Sequence, residues 1–151
     1  MADTTTEAVH PAAETARLTA DVVLFGVKDG VPYVLLIKRR WDPFEGRWAL
    51  PGGHVDVGED TAVAAARELA EETGLAVERL DYVDAYAEPG RDPRGRYVTF
   101  AYVAVVQGLP EPTAADDAAE AEWVPLREAL RDEFLAFDHS HIVADSRDLA
   151  L

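Results

Sequence analysis

The 151-residue sequence contains no cysteine. That excludes a disulfide framework, a thiol nucleophile and a thiolate metal centre, and it makes a cytoplasmic location the expectation. Basic residues are scarce: 14 Lys+Arg stand against 29 Asp+Glu, a formal charge of −15. So acidic a body repels a phosphate backbone, so no nucleic-acid partner is expected. An anionic small ligand would need local arginines, a metal ion or both. Long apolar runs are missing as well. The longest, Phe100–Val106, falls far short of the roughly 20 residues of a membrane span, so no membrane partner is expected either. The N-terminus lacks the basic-then-apolar order of a secretion signal.

What is present is globular composition, 48% hydrophobic and 28% charged, at the length of one domain. Residues 1–17, rich in Ala, Thr and Glu, read as a loose tail ahead of a single domain over 18–151. Two β-branched and aromatic runs flank Asp29-Gly30 and predict a hairpin. Trp48–Gly53 reads as a short strand ending in a turn, Tyr82–Ala87 and Tyr97–Val106 as strands, and Glu122–Leu126 as a short edge strand. Thr61–Thr73 is the clearest helix, with Glu59 and Asp60 ahead of it and Gly74 as its stop. Further helices are expected over Arg127–Phe134 and Phe137–Leu149. The order β-β-α-β-β-α predicts an α/β fold, a mixed sheet with helices on its faces.

On a 3.6-residue wheel, Val63, Ala66, Leu69 and Ala70 form the apolar stripe expected to face the core. Glu68, Glu71 and Glu72 stand opposite, at i, i+3 and i+4. Their charges repel one another, and they sit in the last two turns, where the helix dipole disfavours negative charge. Arg67, four residues before Glu71, offers local relief. A hard divalent cation would remove both costs, because carboxylate oxygens are the ligands Mg²⁺ prefers. On spacing alone, a metal site and a solvated acidic face both stand.

The surrounding residues break that tie. Gly53, five residues, Glu59, seven residues, then Arg67-Glu68-Leu69-Ala70-Glu71-Glu72-Thr73-Gly74-Leu75 resembles the Nudix box without a deviation. Seven positions are fixed by type, so a chance match is on the order of 10⁻⁸ per starting point. The resemblance implies a Nudix-type α/β/α sandwich with a mixed central sheet and helices on both faces. It implies a metal-dependent hydrolase that cleaves the pyrophosphate of a nucleoside diphosphate linked to another moiety, with Mg²⁺ or Mn²⁺ as cofactor. By position Glu68 and Glu72 match the principal metal ligands, Glu71 a third carboxylate, and Gly52 a backbone-carbonyl ligand. Arg67 and Glu59 match the internal ion pair that orients them. The general base is either a box glutamate, Glu71 or Glu72, or an acid from the loop ahead of Trp123, for which Asp117 is the candidate; a solvated acidic loop is the plain alternative.

Substrate contacts lie outside the box. Arg39 and Arg40 end the second strand, where alternation lets one of them face the phosphates. Trp48 is a stacking candidate, although a tryptophan is more often core. Arg91 and Arg94 lie in a polar loop carrying three arginines in six residues, a positive island in an acidic chain. That loop resembles the branch of Nudix proteins that includes ADP-ribose pyrophosphatases, which implies ADP-ribose or a related nucleotide sugar as the small-molecule partner. A nucleoside triphosphate or oxidised nucleotide is the alternative within the class, and a non-catalytic nucleotide sensor the alternative outside it. With roughly 25 residues after Leu126, an acidic stretch, no DNA-binding domain is expected there. Many members of the branch are dimers, which leaves a homodimer open.

Overall fold

The computed structural model describes His10, residues 12–114 and residues 118–151. Strand β1 (Arg17–Lys28) begins at the last residue of the expected tail and turns into β2 (Val31–Arg39). Asp29 (φ 53°) and Gly30 (φ 76°) both take positive φ, the backbone that a two-residue hairpin of right-handed twist requires. The expected Trp48–Gly53 strand is two short ones, β3 (Trp48–Ala49) and β4 (Gly52–His54), with Pro51 between them. Helix α1 (Thr61–Thr73) has the expected bounds: the Asp60 carboxylate accepts from the amide of Ala62, and Gly74 caps the other end in the left-handed conformation. Strands β5 (Asp81–Tyr86), β6 (Tyr97–Gln107) and β7 (Ala118–Pro125), one turn of helix α2 (Leu126–Ala129) and helix α3 (His139–Ala150) complete the chain.

Two expectations need correction at the C-terminal end. The edge strand starts at Ala118 instead of Glu122, because its pairing with β2 extends from Tyr33 to Arg39. The helix expected over Arg127–Phe134 stops after one turn, and α3 begins at His139 after a bend in which Glu133 and Phe137 adopt positive φ.

The seven strands form one mixed sheet of core order β3-β2-β1-β6-β5. Strand β6 runs parallel to β1 along its whole length, while the other edge of β1 is shared. Phe25–Lys28 pairs with β2, and Thr19–Asp21 pairs with β4. Past the Phe25–Val34 pair β1 and β2 part: on that edge β2 goes on to pair with β3 and β1 pairs with β4, while β7 lies along the opposite edge of β2. The parting leaves a hollow beside β4.

Side chains of β1 alternate between two cores. Val23 and Phe25 pack with Ile142 and Val143 of α3, whereas Ala20, Val22 and Leu24 pack with Ala64, Ala65 and Leu69 of α1. Covered on both faces, β1 reads as a nearly continuous apolar run. The sheet also decides which face of α1 is buried. Val63 is 57% exposed, and Ala66 and Ala70 are exposed too; Ala64, Ala65 and Leu69 are buried, together with Glu72 and Thr73. The expected stripe is thus rotated, and the helix turns an acidic residue inward. No helix among the described residues is long and apolar enough to cross a membrane.

Candidate active site

The site grows from the turn between β3 and β4. Register places Gly52 beside Asp21 and Gly53 beside Ala20 on β1, while β3 pairs with β2, so the turn lies within the sheet where β1 and β2 part. From the helix side, Glu72, only 8% exposed, accepts a hydrogen bond from the Gly52 amide at 2.8 Å through Oε1. A Cβ on Gly53 would collide with the Glu68 carboxylate, and one on Gly52 with the Asp21 carboxylate and the Ala20 carbonyl. Backbone closes in on Gly52 and requires glycine there, whereas at Gly53 a side chain would displace the Glu68 carboxylate.

Arg67 binds this arrangement together. Its Nε donates to Glu59 at 2.8 Å, Nη1 to Glu68 at 3.1 Å and to Glu71 at 3.0 Å, and Nη2 to the His54 carbonyl at 3.0 Å. The bond from Arg67, reinforced by one from the Asp56 amide, holds Glu59 down to about 2, and Arg67 is raised in turn. One guanidinium thus fixes three glutamates and the β4 backbone, which is the geometry expected of the Glu59–Arg67 pair. Glu71 keeps a side chain 59% exposed at the helix surface.

Beneath the turn lies a polar layer that the sequence reading missed. The Leu50 amide donates to Nδ1 of His139 at 3.0 Å, and His139 Nε2 lies 3.8 Å from Asp21, which also accepts from Thr99 at 2.7 Å. Burial pushes the His139 pKa down, so the ring stays neutral. The available signal was Asp21 itself, a charge inside an apolar strand.

The hollow left by the split sheet has a volume of about 180 Å³ and is lined by Glu72, Gly52, Gly53 and His54 and by Arg39, Arg91 and Arg94. Arg39 and Arg94 thus reach the same cavity. Arg39 donates to the carbonyl of Pro43 at 2.7 Å, and burial and the charge of Arg94 lower its pKa. Arg94 is held by Asp92, at 3.0 Å through Nε and 2.7 Å through Nη2. Burial pushes the Asp92 carboxyl up, but these bonds outweigh it and leave it lowered. Arg91, although on the cavity wall, is buried in a two-pronged pair with Asp138 at 2.8 and 2.6 Å. Arg40 is exposed past the end of β2, and Trp48 packs on the α3-side core with Lys38 over its ring. Neither lines the cavity. Asp117 lies outside the described residues.

The donor set fits a hard divalent ion. Glu68, Glu72 and the neighbouring Gly52 offer oxygen, and the chain has no thiolate to offer. Among the described residues no three acid or histidine side chains already converge into a cage. Mg²⁺ needs none, since one or two carboxylates, waters and substrate phosphate satisfy it.

A model of the NUDIX domain matches residues 15–145. The chain belongs to the Nudix family. Over 124 residues it is 41% identical to an ADP-ribose pyrophosphatase of Methanocaldococcus jannaschii, covering 82% of this chain and 71% of that protein. It is 37% identical to the ADPR responsive transcriptional repressor NtrR of Acinetobacter baylyi, over 83% of this chain and 51% of the repressor. This Nudix chain thus spans about half the repressor's length. Among solved structures, the NUDIX domain of Shewanella oneidensis NrtR in complex with ADP ribose superposes with a TM-score of 0.84 at 30% identity, over 97% of this chain and 96% of that one. The expected Nudix-type sandwich is therefore the fold, and the relatives support the expected pyrophosphohydrolase. Shewanella NrtR has also been solved with a 27mer DNA, so the expected absence of a nucleic-acid partner gains no support from the family.

Proposed function

We propose that this Nudix chain is a metal-dependent hydrolase of ADP-ribose or a related nucleotide sugar, releasing a nucleoside monophosphate and a sugar phosphate. The observation that carries the reading is one cavity lined by Glu72 and the Gly52 turn together with Arg39 and Arg94. A pyrophosphate linked on both sides needs acids to hold a counterion and cations to hold its oxygens, and this cavity is lined by both.

In this reading Glu68, Glu72 and the Gly52 carbonyl hold Mg²⁺ or Mn²⁺, with Glu71 as a further ligand or the base. The ion, when bound, neutralises phosphate charge and acidifies water. Arg67 and Glu59 keep the glutamates in register, and Arg39 and Arg94 orient the diphosphate. Asp117, ahead of β7, is the alternative base. Arg91 acts by fixing the loop to α3 through Asp138. A cytoplasmic location and a homodimer belong to the same proposal.

A second reading, a ligand-sensing domain, is favoured by the two NtrR-type relatives. The test is AMP release from ADP-ribose with Mg²⁺, with Mn²⁺ and with EDTA, with Glu72→Gln as control. Turnover that needs the ion and is lost in the variant supports the hydrolase. ADP-ribose binding with no turnover of any diphosphate substrate supports the sensor.

A further inference from the structure

Phe137 belongs to no part of the box, yet it touches both cavity arginines. It sits in the bend before α3 with φ 53°, a left-handed backbone that a bulky residue holds only when its surroundings fix it. Those surroundings are the Phe44 ring, edge-on at 4.9 Å between centroids, and the small core of Ile37, Ala49 and Ala136. The guanidinium carbon of Arg39 lies 4.9 Å from the Phe137 centroid, and that of Arg94 lies 5.6 Å from it. Arg39 ends β2 and Arg94 belongs to the β5–β6 loop, so one ring joins two cations from distant parts of the chain. Like charges brought together repel, and a π-face attracts each of them.

We propose that Phe137 is a positioning residue, whose ring gathers Arg39 and Arg94 into one receptor for the two phosphates of a diphosphate. This rests on the substrate reading above. Each guanidinium carries five N–H donors, and the bonds to Pro43 and Asp92 use only part of each set. A ligand with two linked phosphates engages both arginines, whereas a single phosphate engages one. The ring therefore matters more for a diphosphate than for a monophosphate.

The test compares the full chain with Phe137→Leu, which keeps apolar bulk and removes the ring, and with Phe137→Tyr, which keeps the ring. Phe137→Met replaces the Leu variant if that one melts below the assay temperature. The readouts are KM and kcat for ADP-ribose with Mg²⁺, and calorimetric Kd for inorganic pyrophosphate and for AMP. In the Leu variant KM and the pyrophosphate Kd should rise about tenfold, the scale of losing two cation–π contacts. Its kcat should stay within about twofold and its AMP Kd within about threefold, and the Tyr variant should match wild type. An unchanged KM, an equal loss for AMP and pyrophosphate, or a Tyr variant no better than Leu overturns the proposal. Wild type that neither binds nor cleaves ADP-ribose refutes the substrate reading itself; wild type that does both beside an unaltered Leu variant refutes only the role of the ring.

Discussion

Leu50 and His139, 89 residues apart, meet in a 3.0 Å hydrogen bond from the Leu50 amide to Nδ1 of the buried imidazole. The bond ties the start of α3 to the turn that carries Gly52. Because Nδ1 accepts, the proton resides on Nε2, facing Asp21. His139 is thus a support beneath the active-site turn.

Replacing His139 by Leu leaves a buried amide without its acceptor, which costs roughly 1–3 kcal/mol. Urea unfolding at pH 7.5 measures it, and a change below about 0.5 kcal/mol would contradict the role. The wild-type pH profile carries a second signature. Burial lowers the folded pKa below the ordinary 6.5, so the unfolded state takes up the proton first. Stability from this group is full above about pH 6.5 and declines as pH falls, and the Leu variant should lack that component.

Glu59 predicts a different acid limb. Its folded pKa is about 2 against an ordinary 4.5, so it stabilises the fold above pH 4.5 and that contribution is lost as pH falls toward 2. Between those values Glu59→Gln should show a shallower decline of melting temperature than wild type. Parallel curves would show that the bond to Arg67 does not distinguish folded from unfolded protein.

Gly52→Ala and Gly53→Ala should separate by what the new methyl meets. At Gly52 it strikes Ala20 backbone and Asp21; at Gly53 it strikes the end of the Glu68 side chain. The first should destabilise the fold by about 1–3 kcal/mol. The second should melt closer to wild type and lose turnover, because Glu68 must move. Thermal melts beside a turnover assay distinguish the two, and identical behaviour would count against the close approach of Glu68.

Glu72→Gln can still accept from the Gly52 amide through its amide oxygen, so its melting temperature should stay within a few degrees of wild type. Its charge is gone, and turnover should fall about a hundredfold or more. Calorimetry with Mn²⁺ should show weaker heat in the variant. Full turnover in the variant would remove Glu72 from the proposed ion site.

The sequence alone determined what is local. The Glu59–Gly74 stretch carries its own helix, cap and stop signals, and the spacing of Arg67 from Glu59 and Glu71 sets the ion-pair network, because contacts within one helix and its lead-in depend only on chain geometry. The hairpin at Asp29-Gly30 was legible for the same reason. Tertiary structure decided the rest. Which face of α1 turns inward was fixed by the sheet, which buried Ala65 and Glu72 and left Val63 in solvent. The length of β7 followed from its pairing with β2. Among four arginines of similar sequence setting, Arg39 and Arg94 share one ring, Arg91 is locked to Asp138, and Arg40 remains exposed. Meetings such as Asp21 with Thr99, or Leu50 with His139, join segments with no common local signal, and only the packing of strands and helices on one sheet brings them within hydrogen-bond reach.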